Sequence, residues 1–183
     1  MIWNLPNKLT MLRVIMIPFF VLALMFGGGT VFSFRLAALI IFILASLTDL
    51  IDGMIARSRN LVTDFGKFMD PLADKLLVCS ALICFVELGQ LKAWMVILVV
   101  AREFIISGFR LIASGRGIVI AAGWWGKCKT VSQMITVCLL ILDRKELSFL
   151  TACCVWIMLV LTVVSLVDYI VKNKQVFQQE NRQ

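Results

Sequence analysis

Histidine is absent from this 183-residue sequence, and charged residues make up only 16% of it. Without histidine, a general base must be a carboxylate, lysine, tyrosine or cysteine, and a site for a hard metal ion must use oxygen ligands. The scarcity of charge, together with 61% hydrophobic residues, does not suit a water-soluble domain. The composition therefore predicts a membrane protein.

Three other patterns are missing. No alternation rich in Val, Thr and Tyr supports a lipid-facing β-barrel. The six cysteines have neither C-x2-C spacing nor accompanying histidines, so we interpret them as small core residues and not as a zinc site. Basic tracts interleaved with aromatic residues are also lacking, so nucleic acid is not an expected partner.

Six long apolar segments dominate what is present, each near the ~20 residues that span a bilayer. They cover Leu9–Phe26, Phe32–Thr48, Leu72–Leu88, Ala93–Ile112, Trp124–Leu142 and Leu147–Val171. We expect an all-α membrane protein with six transmembrane helices in one domain, residues 1–172, followed by a polar tail, residues 173–183. The first segment is expected to be a retained helix and not a signal peptide, since no A-x-A-like site follows it.

The basic residues indicate how these helices are oriented. If the amino terminus is cytoplasmic and the segments alternate, 14 of the 18 Lys and Arg residues fall toward the cytoplasm and 4 outside. The positive-inside rule then predicts that both termini are cytoplasmic. The net charge of +7 largely reflects this asymmetry.

Acidic residues concentrate in one stretch, residues 48–75. Asp49 and Asp52 are three residues apart, and Asp70 and Asp74 are four apart, so each pair lies on one face of its helix. Counting along the second segment at ~1.5 Å per residue places the acids near the cytoplasmic boundary of the hydrocarbon layer. Four neighbouring carboxylates would repel one another unless cations neutralise them, which predicts bound Mg²⁺ or Mn²⁺.

Small residues surround these acids. Gly53, Ala56 and Gly66 have little or no side chain, so a bulky anion can approach the backbone closely. The planar guanidinium group of Arg57 can donate two parallel hydrogen bonds to a phosphate. The stretch therefore predicts a diphosphate site.

The spacing D-x2-D-G-x2-A-R-x8-G-x3-D-x3-D matches eight defined positions over 26 residues. It resembles the signature of the CDP-alcohol phosphotransferase family of membrane enzymes. The resemblance implies two divalent cations, one held by Asp49, Asp52 and Asp70 and the other by Asp49, Asp70 and Asp74, with Asp74 also the catalytic base. It implies a pocket for the cytidine diphosphate group lined by Asp52, Gly53, Ala56, Arg57 and Gly66.

As a whole, the chain is most similar to members of this family that join CDP-diacylglycerol to sn-glycerol 3-phosphate and release CMP. That similarity implies a catalytic domain in a bacterial plasma membrane, an active site on the cytoplasmic side and a homodimer. We assign the acceptor phosphate to Arg110, Lys127 and Lys129, as a hypothesis, because such a headgroup needs fixed cations. Serine, inositol phosphate or phosphatidylglycerol is the alternative acceptor.

Other interpretations stay open. Lys127 and Lys129 could equally be anchors at the membrane interface. Arg102 and Glu103, half-way along the fourth segment, fit a buried structural pair and a substrate contact equally well. A cation transporter, a structural membrane subunit and a membrane prenyltransferase are competing classes. A transporter has no need of the small residues and Arg57 at these offsets, and the two well-separated aspartate motifs of a prenyltransferase, on more helices, do not fit six spans.

Overall fold

The computed structural model describes residues 5–58, 64–115 and 123–173. Within these ranges, only the backbone is described for residues 5–9, 27–28, 49–58, 64–72, 74 and 114–115. Over these ranges all regular secondary structure is helical, with no strand, as the sequence predicts. The α-helices are α1 Leu5–Met25, α2 Phe32–Ser58, α3 Asp64–Glu87, α4 Ala93–Gly115, α5 Trp124–Leu142 and α6 Ser148–Lys172. Short 3₁₀ turns at Phe26–Gly29 and Lys145–Leu147 precede α2 and α6.

Each helix covers one of the six apolar segments to within one residue at either end of the segment. The bounds of α5 coincide with the predicted segment, whereas α2 continues ten residues beyond Thr48 and α3 begins eight residues before Leu72. The extension of α2 contains Leu, Ile, Met, Ala and Arg, which favour helix, and only one glycine. The helices therefore continue through the acidic stretch on both sides of residues 59–63.

The described chain divides into two compact units. The amino-terminal unit holds the chain as far as Leu91, together with Leu140–Leu142 from the last turn of α5. The carboxyl-terminal unit holds Lys92–Leu139 and the chain from Asp143 onward.

In the amino-terminal unit, α1 packs against both α2 and α3. The buried stripe on α1 has helical spacing and consists of Thr10, Arg13, Ile17, Phe20 and Leu24. Phe20 meets Phe42 of α2 with ring centroids 5.8 Å apart, and Arg13 meets Ala45 further along α2. Later residues of α1 thus meet earlier residues of α2, so the two helices are antiparallel.

One end of the amino-terminal unit is held by Arg35, which is 7% exposed. Its Nε donates to the Gly29 carbonyl, and its Nη1 donates to the carbonyls of Leu140 at 3.1 Å and Ile141 at 3.0 Å. The last carbonyls of a helix have no partner within the helix, so a cationic donor there satisfies them and suits the helix dipole. We call this arrangement the Arg35 clamp.

The clamp requires glycine at position 29. Gly29 has φ +68°, which residues with a side chain rarely adopt, and a Cβ there would lie 2.7 Å from Leu88 Cδ2. A side chain at position 29 would therefore strain the backbone of this turn and displace the side chain of Leu88, just after α3.

In the carboxyl-terminal unit, α4 packs against α6. Its buried apolar side chains include Val99, Ile106, Val137 and Met158. Thr136 Oγ1 of α5 donates to the Cys154 carbonyl of α6 at 3.2 Å. All six cysteines of the chain are free, in keeping with a role in packing.

Large apolar side chains cover much of the surface. Phe149 is 81% exposed, Trp124 73% and Ile97 66%, an arrangement that suits lipid better than water. Among the described residues, one helix, Lys145–Lys172, is long and apolar enough to cross a membrane, and Thr10–Met25 and Phe32–Thr48 are shorter apolar stretches.

Candidate active site

The two acid pairs lie at matching positions on the backbones of α2 and α3. Asp52 is six residues before the end of α2 and Asp70 six residues after the start of α3, or ~9 Å from each end at the helical rise. Asp49 and Asp74 are nine and ten residues from the same ends, or ~14–15 Å. α2 and α3 are in contact and five residues of sequence separate them, so the two pairs lie at similar distances along these helices from residues 59–63; we call this position their level.

The other residues predicted to bind CDP share these backbones. Gly53, Ala56 and Arg57 lie on the last turns of α2, and Gly66 lies on the first turn of α3. The side chains of the whole set, including the four aspartates, are outside the described part of the structure, so their assignment remains a prediction.

The donor set at this level fits a divalent cation. Two contacting helices each carry two carboxylates here, and hard cations such as Mg²⁺ prefer oxygen ligands. Among the side chains that the structure describes, no other group of three or more Asp, Glu, Cys or His residues could hold a metal ion. The acid pairs on α2 and α3 are therefore the candidate metal site.

A buried arginine lies next to this level and was not among the predicted site residues. Arg13 of α1 is fully buried, and its Nε donates to the Ala45 carbonyl at 3.3 Å, one helical turn before Asp49. A basic residue at the start of an apolar segment is usually a membrane anchor, so its position in the sequence alone did not reveal this contact. Burial places its positive charge beside the helix that carries the first acid pair.

The three residues assigned to the acceptor phosphate lie in the carboxyl-terminal unit and differ in exposure. Arg110 on α4 and Lys127 on α5 are exposed to solvent. Lys129 is 1% exposed, and its Nζ donates to Glu103 Oε1 and Gln133 Oε1. Residues two apart on a helix do not share a face, which explains why Lys127 and Lys129 have different surroundings.

Arg102 and Glu103 form an ion pair, with Arg102 Nη1 2.8 Å from Glu103 Oε1. Arg102 Nε also donates to Ser165 Oγ of α6 at 3.1 Å. The pair that the sequence left open is thus part of a polar cluster that includes Lys129. No pattern in the sequence predicts the pairing of Glu103 with Lys129 across a sequence separation of 26.

Known proteins resemble this chain along almost its whole length. Residues 3–164 match the CDP-alcohol phosphatidyltransferase family. The CDP-diacylglycerol–glycerol-3-phosphate 3-phosphatidyltransferase of Bacillus subtilis is 43% identical, over 98% of this chain and 100% of that protein. A Mycobacterium tuberculosis protein named "Probable phosphatidylglycerophosphate synthase" is 42% identical, over 92% of this chain and 81% of that protein.

A third relative, the CDP-diacylglycerol–glycerol-3-phosphate 3-phosphatidyltransferase of Rickettsia felis, is 36% identical over 95% of this chain and 97% of that protein. The matches extend well beyond residues 49–74, which carry the aspartate motif, and confirm the resemblance that the motif indicates. The chain belongs to the CDP-alcohol phosphatidyltransferase family, whose enzymes generally use divalent metal ions.

Proposed function

We propose that this protein transfers the phosphatidyl group of CDP-diacylglycerol to sn-glycerol 3-phosphate, giving phosphatidylglycerophosphate and CMP. The observation that carries the proposal is that the two acid pairs have matching offsets from the facing ends of two contacting helices, inside the residues 3–164 that match the family. The names of relatives that align with nearly the whole chain support glycerol 3-phosphate as the acceptor.

The metal-binding roles follow the acid pairs. Asp49, Asp52 and Asp70 are proposed to hold one divalent cation, and Asp49, Asp70 and Asp74 the second, with Mg²⁺ or Mn²⁺ as the candidate ions. When bound, such ions neutralise charge on the diphosphate and on the leaving group. Small residues on the same turns, together with Arg57, would hold the cytidine diphosphate close to the backbone.

The reaction is a displacement at the phosphorus atom that bears the lipid. A hydroxyl oxygen of glycerol 3-phosphate forms a bond to that phosphorus, the bond between this phosphorus and the CMP oxygen breaks, and CMP leaves with the bonding electrons. Asp74 accepts the hydroxyl proton. Arg110, Lys127 and Lys129 are assigned to the phosphate of the acceptor, which gives them a role in binding but none in bond cleavage.

We further propose that the six helices span a bacterial plasma membrane, with both termini and the acid pairs on the cytoplasmic side. The excess of basic residues predicted for that side and the exposed apolar side chains support this placement. Such a site lets the diacylglycerol chains remain in lipid while water-soluble glycerol 3-phosphate enters from the cytoplasm. A homodimer of such catalytic domains, residues 1–172, is the proposed assembly.

The Asp70→Asn substitution tests the catalytic proposal. It removes one carboxylate charge with almost no change in shape, so we expect CMP release from CDP-diacylglycerol and glycerol 3-phosphate to be abolished while the protein stays folded in detergent. The control is Lys172→Ala, since Lys172 is 62% exposed and pairs only with Asp168 among the ion pairs of the described residues. Turnover by the Asp70 variant at the wild-type rate would contradict the mechanism.

Acceptor choice needs a separate assay. Purified protein with CDP-diacylglycerol is given glycerol 3-phosphate, serine, inositol phosphate or phosphatidylglycerol in turn, and CMP is measured. We expect release with glycerol 3-phosphate alone. Release only with another acceptor would keep the family chemistry and overturn the proposed substrate, whereas metal-ion flux without any CMP would indicate a transporter.

A further inference from the structure

A cluster of buried polar side chains joins the three helices of the carboxyl-terminal unit. Glu103 of α4 accepts hydrogen bonds from Arg102 Nη1, at 2.8 Å, and from Lys129 Nζ of α5. Lys129 also donates to Gln133, and Arg102 also donates to Ser165 of α6. The Glu103 side chain is 15% exposed, and the other four residues are all 7% exposed or less.

Glu103 is the anion that these two cations share. A buried ammonium or guanidinium is costly unless an anion and further hydrogen bonds compensate it. The single oxygen Oε1 meets both cations, so it sets the position of the Lys129 ammonium relative to α4. Gln133, one turn further along α5, supplies a neutral acceptor that holds the same ammonium from its own helix.

Arg102 reinforces this arrangement. Its guanidinium reaches α5, where Nη2 would lie 3.5 Å from a Cβ built on Gly126, and it is also held by α6 through Ser165. The Ser165 hydroxyl in turn donates to the Thr162 carbonyl at 3.0 Å. The carboxylate of Glu103 is therefore fixed by a partner that is itself attached to a second helix.

We propose that Glu103 is a positioning residue for the acceptor, acting through Lys129: it holds the ammonium in place for the phosphate of glycerol 3-phosphate. The inference rests on the proposed function, in which Lys129 binds that phosphate. Lys127, two residues earlier on α5 and exposed, has no such dependence on Glu103. Removing the charge of Glu103 should therefore weaken acceptor binding specifically, without affecting the binding of CDP-diacylglycerol.

The test compares the KM of each substrate in Glu103→Gln, with CMP release measured on purified protein in lipid nanodiscs. The substitution keeps the shape of the side chain and removes its charge. A neutral amide oxygen holds the two cations more weakly than a carboxylate does, which predicts a KM for glycerol 3-phosphate raised by about tenfold, with the KM for CDP-diacylglycerol changed by less than about twofold. The matched control is Glu146→Gln, at an exposed residue, where both KM values stay at the wild-type level.

A double-substitution cycle tests whether Glu103 acts through Lys129. If it does, Glu103→Gln combined with Lys129→Met raises the KM for glycerol 3-phosphate no further than Lys129→Met alone. Losses that multiply would overturn the proposal. A lower melting temperature of Glu103→Gln with both KM values unchanged would also overturn it, because a purely structural role predicts that result.

Glu103→Asp keeps the test decisive if the glutamine variant does not fold. Aspartate retains the charge but withdraws it by one methylene, so we expect a smaller rise in the same KM. An unchanged KM in this variant would overturn the positioning role. Failure of the proposed function is distinguished by the wild-type protein, which would then release no CMP with glycerol 3-phosphate.

Discussion

Replacing Arg35 with methionine should destabilise the protein more than any comparable change of an exposed cation. Methionine retains the length of the apolar stem but removes the three donor contacts of the Arg35 clamp. The Leu140 carbonyl keeps a second donor, Gln90 Nε2 at 3.3 Å, whereas the Gly29 and Ile141 carbonyls lose the contact on which the clamp depends.

The magnitude follows from these contacts. Two lost hydrogen bonds to a charged donor amount to roughly 3–6 kcal/mol. Part of this loss is offset because a buried guanidinium no longer has to be desolvated. The net expectation is a loss of about 3 kcal/mol in the free energy of unfolding, or about a hundredfold in the ratio of folded to unfolded protein.

Tryptophan fluorescence during titration with sodium dodecyl sulfate in mixed micelles measures this free energy. Lys92→Met, which removes an exposed cation, is the control and should change it by less than about 0.5 kcal/mol. The loss of free energy for Arg35→Lys should lie between those of the two other variants, because one ammonium cannot reproduce the forked donors of a guanidinium. Equal stability of Arg35→Met and Lys92→Met would refute the argument that these carbonyls depend on Arg35.

Two further predictions concern the turn before α2 and the metal. Gly29→Ala should lower the free energy of unfolding in the same titration by about 2 kcal/mol or more, because of the positive φ and the contact with Leu88. The control, Gly108→Ala, has open space at its Cβ and should not lower it. Equal effects of the two substitutions would contradict the steric argument. Chelation of divalent cations should abolish CMP release, and added Mg²⁺ or Mn²⁺ should restore it; activity that persists in excess chelator would exclude the metal site at the acid pairs.

Helix positions could be predicted well because they depend on local composition. Each apolar segment became a helix, and α5 begins and ends where the segment does. The apolar segments are shorter than α2 and α3, because hydrophobicity marks the part of a helix that is suited to lipid and not the residue where the helical backbone ends. Ser58 and Asp64, where these helices end and begin, lie well inside the polar stretch.

Pairings between distant residues could not be predicted. Arg35 and Lys129 have the sequence surroundings of ordinary membrane anchors, yet both are buried. Arg35 has distant partners 105 and 106 residues away, and Lys129 has one 26 residues away; only the packing of helices brings them together. The acid pairs were recognisable because their spacing within a helix is local, whereas the contact of Arg13 with α2 depends on a second helix.

The similar offsets of the acid pairs from the facing ends of α2 and α3 have a consequence for adaptation. Residues added or deleted at the opposite ends of these two helices would leave that register unchanged. Relatives living in bilayers of different thickness could thus lengthen or shorten these helices by a turn without changing the offsets of the carboxylates. Hydrophobic length and chemistry can then evolve independently.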